Sequence, residues 1–400
     1  MSIKQKKKTS SNLSKPTLAD KLLVPTEGEK VKQKKALPTN INKEGTKSLR
    51  DVSVASVLND TTGLVAMVAI SCAYSFYIYQ IHENTLWFSN IKEVEREISF
   101  RTESGLYYSY YKQLVHSPSL WKGLQDLTED TLTEHPDTIN ILARMNIYQE
   151  VILAFIYRTL QLKVPPIMFY IYCGFGLQAL LVSSLYIMAW LLSGSWLAGL
   201  LSAAFYLFNK WDTSRVQNSL PLRESFSLPF LWIQAAALTV YFRSGSSKVS
   251  QQFSLAASAI GTFFFCLFWQ FNQFVMMLQA FALFGVWVLG CVPPYKVRNV
   301  MLCQLGSLLG VCLLQFGNKM IPSSLAVSFI LVTLALLSFQ KQAAKTHSVT
   351  YHLLRVAGLS FLALTLMVVL STCIKILLNV DADEHIFKFF MNKISLEETR

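Results

Sequence analysis

The chain has 400 residues, 52% of them hydrophobic and only 15% charged, with a formal net charge of +12. Soluble domains carry roughly 25% charged residues, so this composition excludes an ordinary water-soluble globule and points to a chain embedded in a bilayer. The positive balance does not mark a nucleic-acid groove, because 13 of the 36 Lys and Arg fall within the first 50 residues, on an arm rich in Ser, Thr and Pro.

Residues 1–60, with the runs KQKKK and VKQKK, read as a disordered basic tail on the cytosolic side, where Lys and Arg accumulate beside membrane spans. The first apolar run, 61–81, follows this long polar lead and reads as an uncleaved signal anchor. Two glycosylation sequons, at Asn12 and Asn59, fall on the cytosolic side in this topology and are expected to stay unmodified.

Residues 82–165 form the next segment, read as a lumenal loop with helices of its own. EVEREISF has charges at helical spacing, and INILARMNIYQEVILAFIYRTL alternates apolar and polar positions with a period near 3.6. Arg144, Gln149, Glu150 and Arg158 make that second stretch too polar to cross. It is expected to lie along the membrane surface as an amphipathic helix ending at Pro165-Pro166.

Eight further spans are expected within 166–378, near residues 166–192, 195–209, 226–242, 253–271, 274–291, 299–316, 321–339 and 355–378. A helix needs about 20 apolar residues to cross, and the stretches near 195–209 and 226–242 are the short ones. The inner loops at 243–248, 296–298 and 341–355 carry Lys or Arg, whereas the tail, 379–400, is rich in Asp and Glu. Charge bias and an odd number of spans agree on a lumenal C-terminal stub. The fold class is therefore an all-α polytopic membrane protein. The seven cysteines lie in or beside apolar segments and read as small buried hydrophobes, with no disulfide or metal spacing.

Ionisable and polar groups gather at three places on the outer face, where they are default functional candidates. The first is His82, Glu83 and Asn84, followed by Glu103 and the cluster Tyr107, Tyr108 and Tyr111. The second, between the third and fourth spans, holds Asp212, Arg215, Arg223 and Glu224. The third is the tight turn WQFNQF, with Trp269, Gln270, Asn272 and Gln273. Each has a plainer reading: the tyrosines as an interfacial belt, the arginines as anchors to lipid phosphates, the amides as helix-packing bonds. The functional reading gives Arg215 and Arg223 a phosphate to hold through forked donors and makes the tyrosines and the WQFNQF residues the lining of a donor or acceptor pocket. No phosphate-binding glycine loop, zinc-binding helix or nucleophile elbow competes.

IHENTLWFSNIKEVEREISFRTESGLYYSYYKQLV, followed by INILARMNIYQEVILAFIYR, resembles the first lumenal loop of the dumpy-nineteen-like family of protein C-mannosyltransferases. GLQALLVSSLYIMAWLLSGSWLAGLL, TSRVQNSLPLRESFSLPF and FWQFNQF are similar to further blocks of that family, so the likeness runs from about His82 to near the end. The resemblance implies a GT-C glycosyltransferase fold in the endoplasmic reticulum membrane, N-terminus cytosolic. It implies transfer of mannose from dolichyl-phosphate mannose to C2 of tryptophan in W-x-x-W motifs of secretory proteins such as thrombospondin type 1 repeats, with no cofactor and no metal. The family's catalytic carboxylate maps to Glu103. An indole carbon is a poor nucleophile, so once C2 has attacked the anomeric carbon a base must remove the C2 hydrogen to restore aromaticity, among rings that stabilise the transient cation. Neutralisation of the departing phosphate by Arg215 or Arg223 follows from charge and topology alone. Family members continue beyond the point matching Arg400, so the chain reads as a truncated form. Alternatives are a catalytically inactive scaffold or partner isoform, and a transporter of polyisoprenoid-linked sugars, which the lack of a polar path through the spans disfavours.

Overall fold

The computed structural model describes residues 43–86, 91–101, 103–209, 222–339 and 349–380. The chain divides into two units, Met1–Ala55 and Ser56–Arg400; the first is represented only by the opening turns of a helix. In chain order the described helices are α1 (Lys43–Leu86), α2 (Glu93–Ile98), α3 (Ser104–His116), α4 (Leu120–Thr128), α5 (Ile141–Arg144), α6 (Tyr148–Leu160), α7 (Pro166–Ser193), α8 (Trp196–Phe208), α9 (Arg223–Phe242), α10 (Lys248–Phe268), α11 (Asn272–Val288), α12 (Pro294–Leu314), α13 (Leu325–Phe339) and α14 (Val349–Leu378). Among the described residues the one β-type pairing is an isolated bridge between Asp130 and Ile139.

Every apolar stretch expected to span is a helix. Among the described residues six helices are long and apolar enough to cross a membrane: Ser56–Asn84 within α1, then α7, α9, α10, α12 and α14. The stretch expected to be short near 226–242 is the 20-residue α9, because its helix starts at Arg223. The short helices are α8, α11 and α13, with 13, 17 and 15 residues; at 1.5 Å per residue they reach about 20, 26 and 23 Å against a hydrocarbon core of about 30 Å. The protein is an all-α, multi-pass membrane protein.

Local chemistry sets the boundaries. Pro165 and Pro166 open α7, where a missing N–H costs nothing, and Gly194 ends it at φ +76°. Inside α9, Pro229 has no N–H to give to the Ser225 carbonyl one turn back. The buried Gln178 of α7 supplies the missing donor, Nε2 to Ser225 O at 2.8 Å, and so ties α7 to α9. Helices α9 and α10 pack closely because position 261 is Gly: a Cβ there would stand 2.9 Å from the Phe230 carbonyl oxygen. An amide ladder joins four helices, with Gln234 donating to Thr262 Oγ1 (2.8 Å) and Gln279 Oε1 (2.9 Å), and Gln304 donating to Gln279 Oε1 (2.7 Å). Such bonds hold helices together where burial gives no preference for protein over lipid.

The 82–165 segment departs from the sequence reading. INILARMNIYQEVILAFIYRTL is not one surface helix ending at Pro165-Pro166. It breaks at Met145-Asn146-Ile147 into α5 and α6, and α6 ends where Gln161 turns left-handed at φ 47°. Asn146 causes the break to persist, since its buried Nδ2 donates to the Leu267 carbonyl of α10 at 3.0 Å. Nor does α6 turn its polar side to water. Gln149 and Glu150 are buried with Leu153 and Ala154, while Phe155 and Leu160 are exposed. The reading of the cysteines as buried hydrophobes is also corrected: Cys266 alone is fully buried, and Cys72, Cys291 and Cys373 are exposed. Asn59 lies in α1 and accepts a bond from Trp196 Nε1 at 3.0 Å; Asn12 lies outside the described residues.

Candidate functional site

Glu103 occupies the position just before α3, with backbone angles of φ −70° and ψ −6°. Its carbonyl accepts the Tyr107 amide at 3.1 Å, while its side chain makes no capping bond and is exposed. A carboxylate at the positive end of a helix is electrostatically favoured, so the charge is held outward at the start of α3 without being consumed in a cap. Tyr107, one turn on, is buried and carries Arg223 over its ring, the guanidinium carbon 4.1 Å from the centroid.

Arg223 is not a surface anchor. It is the first residue of α9, 5% exposed. Its Nη1 donates to Gln270 Oε1 at 3.0 Å, and its Nε has no hydrogen-bond partner among the described residues. Four charged groups act on the Tyr107 phenol: burial pushes its pKa up, Arg223 opposes the rise, and Glu103, Glu150 and Glu224 add to it. Tyr107 thus feels the exposed Glu103 as well as the buried Arg223 and Glu150.

Sequence reasoning did not single out Glu150. It has no exposed surface. Its Oε1 accepts from Tyr170 Oη at 2.8 Å and from Gln149 Nε2 at 3.0 Å, while Oε2 has no partner among the described residues. Burial pushes its carboxyl up to about 7 against the bonds from Gln149, Tyr170 and its own backbone and the nearby Arg223. A signal was present: Glu150, Leu153 and Ala154 stand at i, i+3 and i+4, so the acid lies on the buried stripe of its helix.

The remaining candidates separate by role. Tyr111 is fully buried, its ring centroid 5.0 Å from that of Tyr170. The Tyr108 hydroxyl donates to Glu97 Oε1 at 3.0 Å, on a carboxylate that also pairs with Lys112. Both tyrosines are therefore packed in the body of the loop domain. Glu83 pairs with Arg96 at 3.2 Å and fastens α1 to α2. Of the WQFNQF residues, Gln270 alone is bonded to the site, through Arg223. Asn272 is buried and closes the turn between α10 and α11 by donating to the carbonyls of Cys266 (3.0 Å) and Trp269; Trp269 packs on Phe265 and Phe271, and Gln273 is half-buried. Arg215 and Asp212 lie outside the described residues.

Behind the site, α6, α7, α9 and α10 enclose an apolar groove of about 340 Å³. Gln149, Leu153, Gly176, Phe226, Phe230 and Phe264 are among its lining. Phe226 is three residues beyond Arg223 on α9, and Gln149 is bonded to Glu150. A cation and a carboxyl thus stand at the head of a hydrophobic slot. That arrangement fits an amphiphile with an anionic head.

The helices define a multi-pass all-α membrane protein, and its relatives specify which kind. The family model Dpy19, described as "Q-cell neuroblast polarisation", matches residues 68–400. The chain is 33% identical over 340 residues to the probable C-mannosyltransferase DPY19L4 of Homo sapiens, covering 84% of this chain and 47% of that protein. It is 36% identical over 314 residues to the protein C-mannosyl-transferase DPY19L1 of Rattus norvegicus, covering 71% and 42%. With the C-mannosyltransferase dpy-19 of Caenorhabditis elegans it shares 34% over 333 residues, covering 73% and 48%. The chain belongs to the Dpy19 family. It spans about half the length of the curated relatives it matches.

Proposed function

We propose that the chain carries the donor-binding and base-bearing part of a C-mannosyltransferase with a GT-C arrangement. It transfers mannose from dolichyl-phosphate mannose to C2 of a tryptophan in W-x-x-W segments of secretory proteins such as thrombospondin type 1 repeats. The membrane is that of the endoplasmic reticulum, with the basic arm (1–60) cytosolic, the 82–165 loop lumenal and the tail lumenal. The observation that carries the reading is the buried Arg223 stacked on Tyr107, one helical turn from the outward Glu103 and three residues from the groove-lining Phe226.

In this reading the isoprenoid chain lies in the groove and the phosphodiester meets Arg223, with Arg215 as a second cation. Indole C2 attacks the anomeric carbon, the bond from that carbon to the phosphate oxygen breaks, and the configuration inverts. Dolichyl phosphate departs as an anion stabilised by Arg223. The cationic indole then loses its C2 proton to Glu103, and aromaticity returns. Exposure of Glu103 suits this step, since its side chain makes no capping bond and stands open to an incoming indole. Gln270 holds the guanidinium, Trp269 and Gln273 flank it on the turn, and the tyrosine cluster fixes the loop that presents the base. No cofactor or metal is required by these steps.

The test is mass spectrometry of a secreted W-x-x-W reporter in cells lacking C-mannosylation. It uses the 400-residue chain and a longer form containing the part that corresponds to the rest of the relatives. A hexose on the reporter Trp that Glu103→Gln abolishes supports the reading. No hexose from the longer form, or a gain indifferent to Glu103→Gln, overturns it.

A further inference from the structure

Glu150 and Arg223 are buried neighbours that are not bonded to each other. Arg223 spends one nitrogen on a neutral amide oxygen and its face on a neutral ring. Glu150 spends one oxygen on a phenol and an amide. Each retains an unpartnered polar atom among the described residues, Nε of Arg223 and Oε2 of Glu150. A buried cation without a bonded counter-ion is costly, and the carboxyl nearby is the group that offsets it.

An anion arriving at Arg223 takes over that compensation. It would also stand close to Glu150, and two adjacent negative charges in a buried site oppose each other, so one must be neutralised. A phosphodiester does not titrate near neutrality. The carboxyl does, and it has a free oxygen on which to hold the proton.

We infer that Glu150 takes up a solvent proton on Oε2 when an anionic group binds beside Arg223, making donor binding proton-coupled and Glu150 the positioning residue that sets it. One proton is gained for each anion bound, and it returns to solvent when the anion leaves. The charged and titratable groups that act on Glu150 are Arg223 of α9, Tyr170 of α7 and Tyr107 of α3. Tyr107 in turn feels Glu103, just before α3, and Glu224 of α9, Tyr111 of α3 packs on Tyr170, and Cys173 and Cys266 lie on α7 and α10. Burial pushes Tyr107 and Tyr111 up, away from neutrality. Glu150, raised to about 7, is therefore the member placed to exchange a proton under working conditions.

This inference rests on the anion-binding role proposed for Arg223. The experiment separates the two. Detergent-solubilised protein is titrated with citronellyl-phosphoryl mannose, a short-chain phosphodiester, between pH 6 and 8.5, in buffer pairs of different ionisation enthalpy so that calorimetry counts protons. Wild type is expected to take up close to one proton per ligand near pH 8, and its affinity to fall by up to about tenfold per pH unit above 7. Glu150→Gln, isosteric and neutral, is expected to bind with a flat pH profile and no uptake. Binding that Arg223→Met abolishes, but whose proton uptake is absent in wild type or persists in Glu150→Gln, overturns the role of Glu150 and leaves the donor site standing. Binding indifferent to Arg223→Met removes the donor site and the coupling together.

Discussion

The guanidinium of Arg223 lies over the ring of Tyr107, 4.1 Å from its centroid, although the two residues come from segments before and after the 166–193 helix in the chain. The contact holds a buried cation in place without neutralising it. Since a desolvated cation–π contact contributes roughly 1–2 kcal/mol, Tyr107→Phe should keep donor affinity and Tyr107→Leu should weaken it by about 5- to 30-fold. Arg223→Lys should fall further than Tyr107→Leu, because an ammonium cannot stack on the ring while donating to Gln270. Titration with citronellyl-phosphoryl mannose at fixed pH checks the order; equal affinities for the Phe and Leu variants would deny the ring any role beyond packing.

At Glu103 the expected signature is kinetic. A general base contributes about 10²- to 10⁴-fold, and the Glu103 side chain makes no capping bond to α3. Glu103→Gln should therefore cut turnover by that order while melting temperature and donor affinity hold. A variant that melts early or loses the donor would show Glu103 serving structure or binding instead. The measurements are reporter modification rate, thermal unfolding in detergent and donor titration on the same preparation.

Much of this was legible from sequence, and the reason is the solvent. A bilayer leaves helices as the only way to satisfy the backbone, so continuous apolar runs place α7 to α14 directly. Only the ends slipped, as where α9 begins at Arg223 rather than near 226. The site was half legible. Glu103 stands out by resemblance and the outer-face arginines by charge, but nothing in the order of residues places Arg223 on Tyr107, which lies 116 positions earlier. Glu150 was missed because amphipathicity was read with the polar face toward water. Here α6 is wedged between the loop helices and the spans, and its acid points inward. Tyr108 and Tyr111 read as pocket candidates by type, yet their rings pack on Tyr170 and each other, and the Tyr108 hydroxyl is bonded to Glu97.

Pro229 and Gln178 form a compensating pair, and the compensation can be tested by breaking it twice. Gln178→Leu leaves the Ser225 carbonyl without its donor and should destabilise the protein by about 1–3 kcal/mol, the lower end applying inside a membrane. Pro229→Ala restores a backbone N–H one turn below that carbonyl. In the Pro229→Ala background, Gln178→Leu should therefore cost clearly less. Additive effects in a double-mutant cycle of detergent melts would mean that Gln178 acts only by packing.

Glu150 should also imprint on the pH dependence of stability. Burial raises its carboxyl from 4.5 to about 7 in the folded protein. A raised acid binds its proton more tightly folded than unfolded. Its stabilising contribution is therefore fully present below pH 4.5 and is lost as pH rises through 7, when the folded protein must ionise a carboxyl that has no exposed surface. The shift corresponds to about 3 kcal/mol at most. Glu150→Gln is neutral throughout, so the wild-type melting temperature, expressed relative to that variant, should decline steadily between pH 5 and 7 and level off above. The Gln protein should be the more stable of the two at pH 8. A constant difference across this range would mean that Glu150 is ionised in the folded state and held by Arg223 as a permanent ion pair, and the proton coupling proposed for the donor site would lose its source.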